Sequence, residues 1–184
     1  MQWNLPNTLT WARIAAIPLI VLLFYMPYSW ADPAAGLMFA AAGITDSLDG
    51  YFARRLGQIS RLGAFLDPVA DKLIVAVALV LLISKDTRWF LVLTAAVIIG
   101  REITISALRE WMAEMGARRK VAVSLLGKYK TILQIVGLSF MLFRLPLLGL
   151  PIYRIGVVLT EVAAAATLYS MLAYLQAAWP ELRR

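Results

Sequence analysis

The chain has 184 residues, of which 61% are hydrophobic and 16% are charged, and its mean hydropathy is +0.76. Soluble domains are about 45–50% apolar and about 25% charged, so this composition predicts a membrane protein. The sequence contains neither histidine nor cysteine, which excludes Ser-His-Asp catalysis, histidine or thiolate metal sites and disulfides. Any chemistry must therefore use carboxylates, Lys or Arg side chains, hydroxyls and a bound hard cation.

Six apolar runs follow one another along the chain, and each is long enough to cross a bilayer, which takes roughly 20 residues. They cover residues 9–28, 34–54, 62–84, 89–111, 121–143 and 152–178. The first run lacks the basic start and the cleavage site of a signal peptide, so we expect it to be retained. We predict an all-α polytopic membrane protein in which six transmembrane helices form one bundle. A single domain would cover residues 1–184.

Lys and Arg are distributed unevenly between the two sides that these helices define. With a cytoplasmic N-terminus, fourteen of the eighteen lie on the inner side, and the other four are Lys85, Arg88, Arg144 and Arg154. Cytoplasmic loops carry an excess of Lys and Arg, so the N-terminus is predicted to be cytoplasmic. The net charge of +7 then reflects topology and anionic headgroups or phosphate ligands rather than nucleic acid. Glu161, in the outer half of the last run, would be neutralised by Arg144 or Arg154.

The second run ends in a stripe of polar and small residues. At 100° per residue, its members fall within about 140° of one another on the helix surface. They are Asp46, Asp49, Gly50, Ala53 and Arg54. Ionisable groups in a membrane helix are costly and mark candidate functional sites. The two small residues would let a flat base or a diphosphate approach the backbone, although small residues in membrane helices also serve as packing contacts.

The third run opens with Gly63, Asp67 and Asp71, and its two carboxylates lie one turn apart. Because consecutive membrane helices are antiparallel, the four carboxylates of the two runs would meet at the cytoplasmic end and repel one another unless cations compensate them. Without histidine or cysteine, an all-oxygen site suits Mg²⁺, Mn²⁺ or Ca²⁺. Two such ions accommodate four carboxylates and serve in-line phosphoryl displacement.

Two other interpretations of these acids stay open. They could form structural ion pairs, Asp46 with Arg54 and Asp71 with Lys72 or Arg61. A bundle that buries four carboxylates could also transport a divalent cation, which would require them near mid-membrane with access from both sides. Here they cluster at one end beside small residues and arginine, which favours catalysis.

The residues of both stripes together carry a family resemblance. They are spaced as D-x2-D-G-x2-A-R-x8-G-x3-D-x3-D over the 26 positions from 46 to 71. The chain resembles the CDP-alcohol phosphotransferases at every fixed position of that signature. Residues 4–13, 101–114 and 127–131 are similar to the bacterial members that make phosphatidylglycerophosphate. The resemblance extends over essentially the whole chain.

This resemblance implies a six-span homodimer in the bacterial cytoplasmic membrane, with its active site facing the cytoplasm. It implies transfer of the phosphatidyl group from CDP-diacylglycerol to sn-glycerol 3-phosphate, with release of CMP and dependence on Mg²⁺ or Mn²⁺. Two ions would be held by Asp46, Asp49, Asp67 and Asp71, of which Asp71 would also be the catalytic base. The CDP site would be lined by Asp49, Gly50, Ala53, Arg54 and Gly63.

Cations at the inner ends of the fourth and fifth runs are candidates for binding the phosphate of the acceptor. Arg109 closes the fourth run, and Lys128 and Lys130 open the fifth. With Arg101 they could hold a second phosphate beside the carboxylates. The competing interpretation is anchoring by snorkelling side chains, which we favour for residues 118–120. Inositol phosphate, phosphatidylglycerol and serine stay open as alternative acceptors, although serine would not require these cations.

Overall fold

The computed structural model describes residues 5–56, 61–115 and 125–182; within these ranges, the side chains of residues 5–7, 46–56, 61, 62, 64, 125–128, 177, 178 and 180–182 lie outside what it describes. Within these residues, the prediction of an all-α fold with six helices is confirmed. In chain order the helices are α1 Leu5–Tyr25, α2 Ala31–Leu56, α3 Arg61–Lys85, α4 Trp89–Glu114, α5 Leu125–Phe143 and α6 Ile152–Leu182.

The helix ends differ from the predicted runs for local reasons. α1 is already helical at Leu5 and ends at Tyr25 instead of residue 28, because Pro27 disfavours helical geometry in the residue before it. The fourth run was predicted to end at residue 111, but α4 continues through Glu114. Met, Ala and Glu, which occupy positions 112–114, are all strong helix formers.

Neighbouring helices in the chain run in opposite directions, so α1 and α3 are parallel. Thr10 contacts Asp67 near the start of these two helices, and Lys85 contacts Phe24 near their ends. We call the end of the bundle that holds Asp67 the carboxylate end, and the end that holds the α3–α4 turn the opposite end. From Asp67 to Lys85 the rise along α3 is about 27 Å, close to the roughly 30 Å thickness of a bilayer's hydrocarbon core.

A close helix contact joins α5 and α6 at two glycines. A Cβ atom on Gly137 would lie 2.5 Å from the Thr160 hydroxyl oxygen, and one on Gly156 would lie 2.7 Å from the Gly137 carbonyl oxygen. Small residues let membrane helices approach one another this closely. Glycine at both positions therefore sets the spacing of the α5–α6 pair.

Apolar side chains fill the core and also cover much of the outer surface. Five of those that are more than half exposed are Leu22, Leu37, Val80, Leu93 and Val158. Soluble monomers rarely expose apolar surface of this extent. Among the described residues, three stretches are long and apolar enough to cross a membrane, and they are Thr8–Tyr25, Trp89–Glu114 and Ile152–Gln176. These features agree with a protein that is embedded in lipid.

Candidate active site

Two carboxylates of α3 are held by side chains of α1. The Thr10 hydroxyl donates a hydrogen bond to Asp67 Oδ1, and Arg13 Nη1 lies 2.5 Å from Asp71 Oδ1 in an ion pair. Asp67 and Asp71 thus face the same neighbouring helix, as their one-turn spacing predicts. Among the described side chains Asp71 pairs with Arg13 and not with Lys72, whereas the side chain of Arg61, the other suggested partner, lies outside what is described.

Neither Thr10 nor Arg13 was among the site residues predicted from the sequence. Arg13 is the one charged residue of α1, and the rule that an ionisable group in a membrane helix marks a functional site would have selected it. Thr10 carries no such signal. It is identified only by its contact with Asp67, a residue 57 positions further along the chain.

The remaining predicted carboxylates and nucleotide-binding residues lie on α2, in the part whose side chains are not described. Asp46, Asp49, Gly50, Ala53 and Arg54 all belong to a continuous helix that ends at Leu56, so their predicted spacing on one face holds. Gly63, near the start of α3, is buried. Among the described side chains, no three acids are grouped closely enough to hold a metal ion, and the four-carboxylate site stays a prediction.

Buried cations form a second feature of the carboxylate end. Lys130 and Arg101 are only 4% and 8% exposed, and within the described residues neither the Lys130 ammonium nor the Arg101 Nε has a hydrogen-bond partner. Arg101 Nη1 does pair with Glu102 at 2.6 Å. Lys130 lies within electrostatic reach of Arg101, Glu102 and Arg109. Because an uncompensated buried charge is strongly destabilising, this arrangement favours the binding of an anion.

The other two predicted cations are placed less completely. The Arg109 guanidinium lies 5.8 Å from the centre of the Tyr174 ring on α6 and within electrostatic reach of Lys130. The side chain of Lys128 lies outside the described residues. The structure thus brings together Arg101, Arg109 and Lys130.

An apolar cavity of about 290 Å³ lies between α3 and α4. Its lining includes Val69, Leu73, Ala76, Ile99 and Ile103, with Lys72 and Glu102 at its border. The cavity begins beside the α3 turn that carries Asp67 and Asp71, so hydrocarbon could lie next to the polar site.

The expectation for Glu161 is wrong. Thr94 Oγ1 donates a 2.7 Å hydrogen bond to Glu161 Oε1, and no ion pair joins this glutamate to Arg144 or Arg154 in the described part of the chain. Arg144 instead lies over the rings of Phe24 and Tyr153. α4 and α6 pack so that Glu161 faces a threonine, which satisfies one acceptor oxygen without a cation.

A different kind of polar cluster lies at the opposite end, in the turn between α3 and α4. Arg88 donates to both oxygens of Asp86, with Nε–Oδ1 and Nη2–Oδ2 distances of 2.8 and 2.6 Å, and the Tyr153 hydroxyl donates to Oδ2 at 2.6 Å. Hydrogen bonding from Arg88 is the main cause that lowers the pKa of Asp86 to about 2. We call Asp86, Arg88 and Tyr153 the opposite-end cluster.

Known proteins are similar to this chain along nearly its whole length. Residues 3–175 match the model of the CDP-alcohol phosphatidyltransferase family. Curated relatives include the CDP-diacylglycerol–glycerol-3-phosphate 3-phosphatidyltransferases of Escherichia coli (strain K12) and Shigella flexneri serotype 5b. Each is 51% identical over 182 residues, which cover 99% of this chain and 98% of the relative. With a family match along nearly its whole length, the chain belongs to the CDP-alcohol phosphatidyltransferase family.

Proposed function

We propose that this chain transfers the phosphatidyl group of CDP-diacylglycerol to sn-glycerol 3-phosphate and releases phosphatidylglycerophosphate and CMP. The observation that carries the proposal is the 51% identity to enzymes named for this reaction, over 99% of the chain. The family match covers residues 3–175, which supports one catalytic domain over residues 1–184. Phosphatidylglycerol and cardiolipin synthesis would consume the product.

The carboxylates of α2 and α3 are proposed to hold divalent cations, on which this family generally depends. The donor set fits a hard cation, because Asp67 and Asp71 present carboxylate oxygens one turn apart and no histidine or cysteine exists in the chain. We propose two ions, Mg²⁺ or Mn²⁺, shared by Asp46, Asp49, Asp67 and Asp71. Bound divalent ions would neutralise the diphosphate and make CMP a competent leaving group.

The nucleotide is proposed to bind along α2. Gly50 and Ala53 would leave room for it on the same helix face as Asp49. Arg54 would supply a positive charge for the diphosphate. Gly63, which is buried near the start of α3, is the last of the proposed CDP-binding residues. The apolar cavity between α3 and α4 would allow the acyl chains of the donor to lie beside the carboxylates. Lipid would then reach the site laterally, and the water-soluble acceptor would reach it from the cytoplasm.

The acceptor phosphate is proposed to bind Arg109, Lys128 and Lys130, together with Arg101. Lys130 and Arg101 are buried with nitrogen atoms that lack described hydrogen-bond partners, so a phosphate would supply the missing anion. Charge-assisted hydrogen bonds to phosphate are among the strongest in proteins. A neutral acceptor such as serine would leave these cations uncompensated, whereas glycerol 3-phosphate and inositol phosphate would not.

The reaction then needs one displacement at phosphorus. The acceptor hydroxyl oxygen bonds to the phosphorus that carries diacylglycerol, and the bond from that phosphorus to the oxygen of the CMP phosphate breaks. The hydroxyl proton passes to the carboxylate of Asp71, which acts as general base late in the step. Positioning and charge neutralisation supply most of the rate enhancement, as in phosphoryl transfer generally.

The setting that we propose is the cytoplasmic membrane of a bacterium, crossed by all six helices with the N-terminus in the cytoplasm. The fourteen-to-four distribution of Lys and Arg supports this orientation. It would put the carboxylate end at the cytoplasmic surface, where CDP-diacylglycerol headgroups and glycerol 3-phosphate meet. We further propose that the protein acts as a homodimer.

The decisive experiment supplies the purified protein with CDP-diacylglycerol, Mg²⁺ and a panel of acceptors, and identifies the lipid product by mass spectrometry. We expect phosphatidylglycerophosphate, with CMP released in equal amount, and no lipid product without a divalent cation. Preferred use of inositol phosphate, phosphatidylglycerol or serine would overturn the proposed acceptor. Uptake of divalent cations into proteoliposomes without any lipid product would support transport instead.

A further inference from the structure

We propose that Thr10 and Arg13 on α1 are positioning residues, which hold Asp67 and Asp71 in the orientations that phosphatidyl transfer requires. This inference rests on the proposed function, since it concerns two carboxylates that we place in the reaction. Neither α1 residue would touch the substrates. Each acts through the carboxylate that it contacts.

The two contacts lie one helical turn apart along the interface between α1 and α3. Thr10 and Arg13 are three residues apart on α1, and their partners Asp67 and Asp71 are four residues apart on the parallel helix α3. Residues at these spacings share one helix face. Each carboxylate therefore has its own α1 donor, and a rotation of α1 about its axis would break both contacts together.

The exposures of Arg13 and Asp71 show that the contact is made on the buried side of the Asp71 carboxylate. The side chain of Arg13 is 1% exposed, whereas that of Asp71 is 37% exposed. The guanidinium thus lies behind the carboxylate, on the side of the protein interior, and Asp71 keeps a surface that ligands can reach. Thr10 is also fully buried behind Asp67. This is the arrangement of outer groups that orient metal-binding or catalytic side chains.

The composition of α1 argues against a purely packing role for Arg13. It is the one charged residue in a 21-residue helix that is otherwise mostly apolar, and burial of a guanidinium carries a large desolvation cost. Well-packed hydrophobic residues can replace a buried ion pair at little or no cost in stability. A charge at this position is therefore better explained by what it does to Asp71 than by what it adds to the fold.

The test compares Arg13→Gln and Thr10→Val with two matched controls. Thr94→Val removes another hydroxyl-to-carboxylate hydrogen bond, to Glu161, and Arg88→Gln removes another ion pair, to Asp86. We expect kcat to fall about 10–100-fold in the α1 variants, the usual cost of losing such an outer group, with both KM values within about threefold of wild type. The controls should keep kcat within about threefold. Thr10→Ser and Arg13→Lys should recover most and part of the rate, respectively.

A second readout separates positioning from a general loss of structure. Binding of Mn²⁺ to the detergent-solubilised protein, without substrates, is measured by electron paramagnetic resonance. We expect the Kd to rise about 10–100-fold in Arg13→Gln and Thr10→Val, and to stay at the wild-type value in both controls. If Arg13→Gln does not fold, Thr10→Val and Arg13→Lys carry the same comparison.

The outcomes also distinguish this inference from the function on which it rests. If Asp71→Asn is inactive while the α1 variants match the controls in kcat and in Mn²⁺ affinity, the positioning role is wrong and the proposed function stands. If Asp71→Asn keeps near-normal turnover, the assigned role of the carboxylates is wrong. A rate loss that merely follows the fraction of folded protein in every variant would also overturn the inference.

Discussion

The two ends of the helix bundle both carry polar clusters, but they satisfy their charges differently. At the opposite end, Asp86 accepts hydrogen bonds from both Arg88 and Tyr153, and Lys85 donates a 2.7 Å hydrogen bond to the Phe24 carbonyl oxygen. At the carboxylate end, the buried ammonium of Lys130 has no hydrogen-bond partner among the described residues.

This difference indicates that the two ends of the bundle have different roles. Buried polar groups in proteins are nearly always hydrogen-bonded, and exceptions need an explanation. The opposite-end cluster is complete within the chain, so its contribution is to stability. The carboxylate end combines a partly exposed carboxylate, Asp71, with buried cations whose hydrogen-bonding capacity is only partly used by the described residues, which is typical of a binding or catalytic site. The following predictions test this contrast, from the largest expected effect to the smallest.

The largest difference in activity is expected between variants of two aspartates, Asp71 on α3 and Asp86 in the turn that follows α3. Asp71→Asn should lower the rate of CMP release at least about 10²-fold, the scale on which the loss of one catalytic electrostatic group acts. Asp86→Asn should keep the rate within about threefold, because this carboxylate lies about 22 Å away along the α3 axis. Comparable activity losses in both folded variants would contradict a functional difference between the ends.

Two lysines provide the next comparison. Lys130→Met should raise the KM for glycerol 3-phosphate about 10–100-fold, since a hydrogen bond to a charged group contributes about 1.5–3 kcal/mol. The KM for CDP-diacylglycerol should change much less. Lys85→Met, at the opposite end, should change neither constant by more than about threefold. Steady-state kinetics with each substrate varied in turn measures these values.

In thermal stability, unlike in KM, Lys85→Met should be affected more than Lys130→Met. Lys85→Met leaves the Phe24 carbonyl oxygen without its donor and should cost about 1–3 kcal/mol. Lys130→Met replaces a buried charge that has no described partner with an apolar chain of similar length, so its stability should be unchanged or higher. Thermal unfolding in detergent compares the two Tm values. A larger Tm loss in Lys130→Met would show that Lys130 is a structural residue.

The smallest effect concerns pH and the opposite-end cluster. The pKa of Asp86 is lowered from 3.8 to about 2, so its ionised form is favoured in the folded state. Its contribution to stability is fully present above about pH 4 and is lost as pH falls toward 2. The Tm difference between wild type and Asp86→Asn should therefore be constant from pH 7 to about pH 5 and shrink near pH 2.5. A difference that grows on acidification would contradict this assignment.

The six helices and the shared face of Asp67 and Asp71 were predictable, because hydropathy and a 3.6-residue period are local properties. The partner of Glu161 was predicted wrongly. Charge alone pointed to Arg144 or Arg154, whereas Thr94 occupies the position because of how α4 and α6 pack. The end of α4 was predicted too early, at residue 111, although Met, Ala and Glu at positions 112–114 are good helix formers.

The sequence by itself determined the class of protein and the chemistry available to it. Composition required helices suited to lipid, the absence of histidine and cysteine restricted any metal site to oxygen ligands, and the spacing of the carboxylates carried the family resemblance. Only the tertiary structure decided that α1 lies beside α3, so that Arg13 meets Asp71 across 58 positions of chain, and that Arg101 and Lys130 are buried together. Such contacts depend on how helices are rotated and packed against one another, which periodicity within one helix does not specify.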